Sequence, residues 1–89
     1  MIQINSESRT KHAVAFSLAA DTKTAYLSFS YITGMVNVCV ANASHRAWRG
    51  AGRTFNSFAE AKAAYRSPEV KAMIEFLNQQ TQPEMSAVL

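Results

Sequence analysis

The residues best suited to binding chemistry are concentrated in the segment 44–53, which reads SHRAWRGAGR. Three of the nine basic residues, the only tryptophan and two of the three glycines fall within it. Guanidinium groups bind carboxylates or phosphates through paired hydrogen bonds, and an indole ring stacks on flat groups or anchors a protein interface. We therefore predict a partner-binding surface formed by His45, Arg46, Trp48, Arg49 and Arg53. In the alternative interpretation, Trp48 closes a small core and the arginines around it are solvated.

The sequence offers little material for an active site. It has six acidic residues, and no two of them have a spacing that would hold a pair of carboxylates across a substrate. Cys39 is the only cysteine, and a thiolate nucleophile requires a base within hydrogen-bond reach. We expect His12 on the opposite side of the sheet from Cys39, whereas His45 could approach from the 44–53 segment. We predict that the chain is not an enzyme, and a Cys39–His45 dyad is the remaining catalytic alternative.

The sequence also lacks the residues that metal and cofactor sites usually contain. Structural zinc takes four ligands, more than one cysteine and two histidines supply. Residues 50–53, GAGR, resemble part of a phosphate-binding loop, but Phe55 stands where the third glycine is required and no Walker lysine follows. We expect no metal and no cofactor, and we interpret GAGR as a flexible bend between a sheet and the helices.

The first half of the chain has the two-residue periodicity of half-buried strands. Apolar residues alternate with small or polar ones over 14–18, 27–31 and 36–40, and turn-forming residues separate these runs at 21–22 and 33–34. Alternate residues of a strand point to the same side of a sheet. We therefore predict one apolar face, formed by Val14, Phe16, Leu18, Leu27, Phe29, Tyr31, Val36, Val38 and Val40.

The turns predict the pairing of these strands. A two-residue turn at Thr33-Gly34, with a positive φ at the glycine, places Phe29 opposite Val38. The loop between the first two runs places Phe16 opposite Leu27. Both hairpins then direct their apolar residues to the same side, and a slip by one residue would reverse that.

The second half of the chain has helical periodicity. Ser57 and Glu60 form a capping box, after which Phe58, Ala61 and Tyr65 recur on one side of a helix. Ser67-Pro68 ends this pattern, since the residue before a proline is pushed out of helical geometry. Pro68 suits the first turn of a second helix, with Ser67 as its cap and with Glu69 stabilised by the helix dipole. The apolar stripe of the second helix is predicted to consist of Val70, Met73, Ile74 and Leu77.

These elements predict an α+β fold, a three- or four-stranded antiparallel β-meander with two C-terminal α-helices packed on one face. Residues 2–4 and 44–49 are the candidates for a fourth strand. We expect one domain over residues 1–78 and a flexible tail over 79–89. The single cysteine fits a reducing compartment, residues 1–7 have neither the basic start nor the apolar run of a secretory signal, and the sequence has no run of about 20 apolar residues. We therefore predict a cytoplasmic protein with no membrane partner.

The sheet face away from the helices is a second candidate surface. We expect it to consist of Lys11, Ala13, Ala15, Ser17, Tyr26, Ser28, Ser30, Ile32, Met35, Asn37, Cys39 and Ala41. Solvent-facing sheets usually carry more lysine, glutamate and threonine than this. The face is therefore expected to pack against a partner, the N-terminal segment, or a second copy in a homodimer. Tyr26 is the aromatic residue on it and the sixth predicted partner-binding residue.

The net charge of +3 suits either nucleic acid or an acidic protein surface. In its size, single domain and lack of a catalytic motif, the chain resembles small proteins of phages and other mobile elements, among them anti-CRISPR proteins. The resemblance covers the whole length without a residue motif, and it implies an inhibitor that occludes a nucleic-acid-handling complex. We predict a non-enzymatic inhibitor or adaptor that binds a protein partner through residues 46–53 and the open sheet face. The alternative is direct DNA or RNA binding by the same arginines.

Overall fold

The computed structural model describes residues 2–42 and 52–81, which form one open antiparallel sheet and two helices. The strands are β1 (Gln3–Arg9), β2 (Ala13–Ala19), β3 (Lys23–Ser30), β4 (Val36–Asn42) and β5 (Arg53–Phe55), and the helices are α1 (Phe58–Ala64) and α2 (Pro68–Thr81). Each strand pairs with the next, in the order β1-β2-β3-β4-β5. The predicted α+β meander is confirmed. Four predicted partner-binding residues lie outside the described residues: His45, Arg46, Trp48 and Arg49.

The described part of the sheet has five strands rather than the three or four that were expected. The candidate strand at 2–4 is the start of a longer β1, which pairs with β2 across a register shift between Ile4 and Ser6. The other candidate, 44–49, lies outside the described residues. β5 was not predicted, because a strand of three residues is too short to show periodicity.

The pairing of β2 with β3 follows the predicted register, with Phe16 opposite Leu27. The predicted register of β3 with β4 is wrong by two residues, since Phe29 lies opposite Val36 rather than Val38. A shift of two residues leaves the side chains within the paired strands on their predicted face. The apolar face therefore forms despite the wrong pairing.

The shift arises because the turn begins earlier than predicted. The hydroxyl of Ser30 accepts hydrogen bonds from the N–H groups of Ile32 and Thr33, both at 3.2 Å. The Ser30 N–H donates to the Met35 carbonyl at 3.1 Å, which closes a four-residue loop. Such side-chain bonds to nearby N–H groups stabilise turns. Gly34 has the predicted positive φ, at 74°.

The core lies between the apolar face of the sheet and the two helices. α2 packs on β2 and β3, while α1 packs on β4 and β5. The buried hydrophobic residues are Val14, Phe16, Leu18, Ala25, Leu27, Val36, Val38, Phe55, Ala61, Val70, Met73, Ile74 and Leu77. Phe29 and Val40 are partly buried against them, as their predicted face requires. Tyr31 was expected on this face but lies in the β3–β4 loop, where it is 46% exposed and its ring contacts that of Phe29.

Both helices begin at the predicted serine caps. The Ser57 hydroxyl accepts from the Glu60 N–H at 3.1 Å, and the Ser67 hydroxyl accepts from the Val70 N–H at 3.3 Å. Each bond satisfies a backbone donor that a helix start leaves without a partner. The predicted stripe of α2 is buried in full.

α2 is longer than predicted and is held at both ends. At its start, the Glu69 carboxylate accepts hydrogen bonds from the N–H and hydroxyl of Thr22 in the β2–β3 turn. At its end, the Thr81 hydroxyl donates to the Asn78 carbonyl at 2.8 Å, and Gln80 accepts a bond from Arg9 of β1 at 2.6 Å. Residues 79–81, expected in the flexible tail, are therefore helical.

Candidate binding surface

Arg53 is held at the β5 edge of the sheet against two aromatic rings. It pairs with Val38 of β4, so its side chain lies on the helix side of the sheet. Its guanidinium carbon is 5.1 Å from the centre of the Phe55 ring and 5.6 Å from that of Tyr65. The two rings contact each other edge to face at 5.9 Å. We refer to Arg53, Phe55 and Tyr65 as the Arg53 edge.

β5 and α1 together build this edge. Phe55 is buried two residues after Arg53, so both side chains lie on the same side of the strand. Tyr65 is the C-terminal cap of α1, and its N–H donates to the Lys62 carbonyl. The end of α1 therefore places the tyrosine ring beside β5.

Gly52 allows β5 to lie close to β4. A Cβ atom at this position would be 2.5 Å from the Asn37 Oδ1 and 3.0 Å from the Val38 carbonyl oxygen. Both separations are shorter than a carbon normally makes with an oxygen, so a larger residue would displace β5 or Asn37. This close approach gives the second glycine of GAGR a steric reason, whereas the bend predicted there stays a prediction because residues 50–51 lie outside the described residues.

Arg53 is exposed, and its charge has no carboxylate partner within residues 2–42 and 52–81. The ion pairs of that region are Arg9–Glu7 and Lys62–Glu75. Burial raises the pKa of the Tyr65 hydroxyl above its ordinary value, and the positive charge of Arg53 offsets part of that rise. The guanidinium is thus positioned by rings and remains available to an external anion.

Arg9 occupies a comparable place on the opposite edge, but its charge is used within the fold. Its guanidinium lies 5.3 Å from the centre of the Phe16 ring. It also binds the Glu7 carboxylate and the Gln80 side chain. Because both arginines lie against aromatic rings, Arg9 is a matched control for Arg53.

Tyr26 lies on the other side of the sheet from Arg53. It is in the middle of β3, where it pairs with Ser17 of β2 and Cys39 of β4, and it is 40% exposed. The structure therefore does not bring Tyr26 and Arg53 together on one surface. They belong to two surfaces, separated by the thickness of the sheet.

The side that carries Tyr26, which we call the open face, is uncharged over the described strands. By strand pairing it consists of Gln3, Ser6, Ser8, Ala13, Ala15, Ser17, Ala19, Thr24, Tyr26, Ser28, Ser30, Asn37, Cys39, Ala41 and Thr54. The charged strand residues lie on the helix side: Glu7, Arg9, Lys23 and Arg53. Antiparallel sheets with one solvated face usually place their polar and charged residues on that face.

Three residues that we expected on the open face lie outside the described strands, so strand pairing does not assign them to a face. Lys11 lies in the bend before β2, and Ile32 and Met35 lie in the β3–β4 connection. All three are exposed. The prediction extended the alternation of the strands through their turns, and a turn does not preserve the two-residue period.

Two glutamates with shifted pKa values have structural roles, and Cys39 and His12 lie at separate places in the fold. Hydrogen bonds from Thr22 lower the pKa of Glu69, and hydrogen bonds from Lys62 and Asn78 lower that of Glu75. Cys39 is half-buried on the open face, whereas His12 is exposed in the bend before β2. In the described ranges, no three His, Cys, Asp or Glu side chains are grouped so that they could hold a metal ion. The Cys39–His45 alternative involves a residue outside those ranges.

Sequence reasoning missed Phe55 and Tyr65. The alternation of Arg53 with Phe55 is a signal for a strand, but one of only three residues. Tyr65 was predicted on the apolar side of α1, and only the packing of α1 on β5 places it beside an arginine.

Comparisons with protein-family models, curated proteins and solved structures find no match to this chain. Within the described part of the chain, no helix has the length and apolar character needed to cross a membrane. The chemistry of the two surfaces therefore carries the functional argument.

Proposed function

We propose that this chain is a non-enzymatic binding protein, an inhibitor or adaptor that binds an acidic protein surface through the Arg53 edge. The supporting observation is an exposed guanidinium that rests on two rings and lacks a carboxylate partner among the described residues. Arginine and aromatic residues dominate the binding energy of many interfaces. A side chain already held in place loses less conformational entropy on binding.

The sequence next to this edge extends the same chemistry. Arg46, Trp48 and Arg49 precede β5 by a few residues, and they remain predicted members of the partner-binding surface. The resemblance to anti-CRISPR proteins suggests a nucleic-acid-handling complex as the partner. Such an inhibitor needs no catalytic group, because it acts by occupying a surface of its target.

Two observations favour a protein over a nucleic acid. Proteins that bind single strands combine a basic groove with several stacking aromatics. The open face has one aromatic residue, Tyr26, and no charged residue among its described positions. The charges of Arg9 and Lys62 are paired with carboxylates. Within residues 2–42 and 52–81, Arg53 is the arginine held against two rings and without a carboxylate partner, and one guanidinium fixed in this way fits an acidic side chain on a protein better than a continuous phosphate backbone.

The test is affinity purification of the full chain from its host cells, with and without nuclease, in parallel with Arg53→Ala and Arg9→Ala. We expect a partner protein that is still recovered after nuclease treatment and that Arg9→Ala also recovers. In calorimetric titrations of the purified partner, Arg53→Ala should bind at least about tenfold more weakly than the unmodified chain. Arg9→Ala removes the same charge from the opposite edge. Equal loss with both variants, or full binding by Arg53→Ala, would contradict the proposal.

Salt dependence tests the nucleic-acid alternative directly. Phosphate contacts release counterions, so affinity for an oligonucleotide would fall steeply with salt. Loss of one phosphate contact in Arg53→Ala would reduce that slope by about one. We expect no such binding by the purified chain, and a steep slope that Arg53→Ala reduces would replace the protein-directed proposal.

A further inference from the structure

The open face is the best candidate for a second interface, and it differs from the Arg53 edge in its position and in its charge. It lies on the opposite side of the sheet and its described residues carry no charge. Four of its central residues are half-buried already: Ala15, Ser17, Ser28 and Cys39. We infer that the open face binds the open face of a second copy of this chain, forming a two-fold dimer by packing sheet on sheet.

The chemistry of the polar groups argues for a second copy. An isologous interface places the same residues on both sides, so its groups must be complementary to themselves. The polar side chains here are hydroxyls and amides, such as Ser28, Thr24 and Asn37, which both donate and accept hydrogen bonds. A face of lysines or glutamates would repel its copy, whereas this one does not.

Charge placement removes the main obstacle to self-association. Each chain has a net charge of +3, which disfavours contact between two copies. The charged strand residues, such as Lys23 and Arg53, lie on the helix side. Face-to-face packing would therefore keep them apart by more than the spacing of two packed sheets, about 10 Å, which exceeds the Debye length of about 8 Å at physiological salt.

The size of the face predicts a weak dimer. Strands about 4.8 Å apart and residues about 3.3 Å long give the described sheet a face of roughly 500 Å². Two copies would bury about 1,000 Å² in total, near the lower limit for a specific interface. Tyr26 is the large side chain that projects from this face, and it would pack on small residues of the second copy. We expect a reversible dimer with a Kd on the order of micromolar.

Sedimentation equilibrium over a range of concentrations tests the dimer, with Ser28→Lys as the disruptive variant and Ala63→Lys as its control. Ser28 is central on the face, between Ala15 and Asn37, whereas Ala63 is exposed on α1. Each variant adds one positive charge. We expect Ser28→Lys to weaken dimerisation at least about tenfold and Ala63→Lys to leave it unchanged. A chain that is monomeric at all concentrations, or a dimer equally sensitive or insensitive to both variants, would overturn the inference.

A measurement on the unmodified chain keeps the test valid if Ser28→Lys fails to fold. Cys39, the only cysteine, pairs with Tyr26 on the face and would be covered in the dimer. Its rate of reaction with a maleimide should fall as the dimer fraction rises. If the dimer forms while the rate stays constant, the dimer uses another surface and the inference is wrong. This outcome does not affect the proposal for the Arg53 edge, because that edge is on the other side of the sheet.

Discussion

The placement of β5 depends on Gly52, and Gly52→Ala tests that dependence. The new methyl group would lie 2.5 Å from the Asn37 Oδ1 and 3.0 Å from the Val38 carbonyl oxygen. To accept it, Asn37 must rotate and release the hydrogen bond that its amide donates to Thr54 at 3.0 Å. The backbone of β4 cannot move as easily, so β5 would be displaced from it. Because β5 carries Arg53, the same change would weaken partner binding.

The expected cost follows from three terms. Losing the bond between Asn37 and Thr54 costs about 0.5–1.5 kcal/mol. Crowding against a packed backbone costs about 1–3 kcal/mol. Replacing glycine with alanine restricts the unfolded chain, which returns about 0.4–1 kcal/mol. The three contributions combine to about 0.5–4 kcal/mol. We therefore expect Gly52→Ala to lower the free energy of unfolding by about 2 kcal/mol, the middle of that range, in denaturant titrations.

A double-mutant cycle with Asn37→Ala separates the two contacts. Truncating Asn37 removes the closer of them, so Gly52→Ala should cost less in that background, with a coupling of about 0.5–1.5 kcal/mol. Gly34→Ala is the control, because its Cβ would meet no atom within 4 Å and its φ of +74° alone causes strain. That strain costs about 1–2 kcal/mol and should not couple to Asn37. A neutral Gly52→Ala, or equal costs in both backgrounds, would refute the steric argument.

Three further predictions concern the core and the titratable residues. Leu77→Ala, at a position with no exposure, should cost about 2–5 kcal/mol and leave a domain of this size largely unfolded by circular dichroism. Hydrogen bonds from Thr22 lower the pKa of Glu69, so its contribution to stability is complete above the unfolded-state pKa and is lost as the pH falls through the folded pKa. The free energy of unfolding of Glu69→Gln, measured by denaturant titration in acid, should therefore depend less on pH than that of the unmodified chain. The raised pKa of Tyr65 has the opposite sign, so its contribution is complete below the unfolded-state pKa and is lost at higher pH. Arg53→Ala should raise that pKa further in alkaline absorbance titrations corrected with Tyr65→Phe, and an unchanged value would place Arg53 away from the hydroxyl.

The sequence predicts those parts of the fold that depend on local periodicity. The β2–β3 hairpin was predicted in its correct register because apolar residues alternate without interruption on both sides of a short turn. The caps at Ser57 and Ser67 were predictable because a helix start needs a side-chain acceptor. The β3–β4 register was not, because the Ser30 hydroxyl stabilises a longer loop than the Thr33-Gly34 pair suggests. The two-residue periodicity of a strand predicts the face on which a side chain lies. The residue opposite it on the next strand depends on the turn, which here is set by the hydrogen bonds of one side chain.

The candidate surfaces were less predictable than the fold. Arg53 was selected for its neighbours in the chain, but the residues that position it, Phe55 and Tyr65, come from a three-residue strand and a helix end. Tyr26 was assigned to the open face correctly from its alternation with Leu27. To predict that Tyr26 and Arg53 lie on opposite sides of the sheet, one must know that Arg53 of β5 pairs with Val38 of β4. The periodicity of the sequence does not show this pairing.

The two proposed surfaces have a joint consequence, because they lie on opposite sides of one sheet. A dimer through the open faces would leave the Arg53 edge of each copy uncovered, so it would present two binding sites to a partner. Two linked sites bind a partner-coated surface more tightly than one, through the high effective concentration of the second site. Ser28→Lys should therefore release faster from a densely coated surface than the unmodified chain, while binding a partner in solution with the same affinity. Ala63→Lys should match the unmodified chain in both assays. If Ser28→Lys also loses affinity in solution, the partner contacts the open face itself, and the two surfaces cannot act independently.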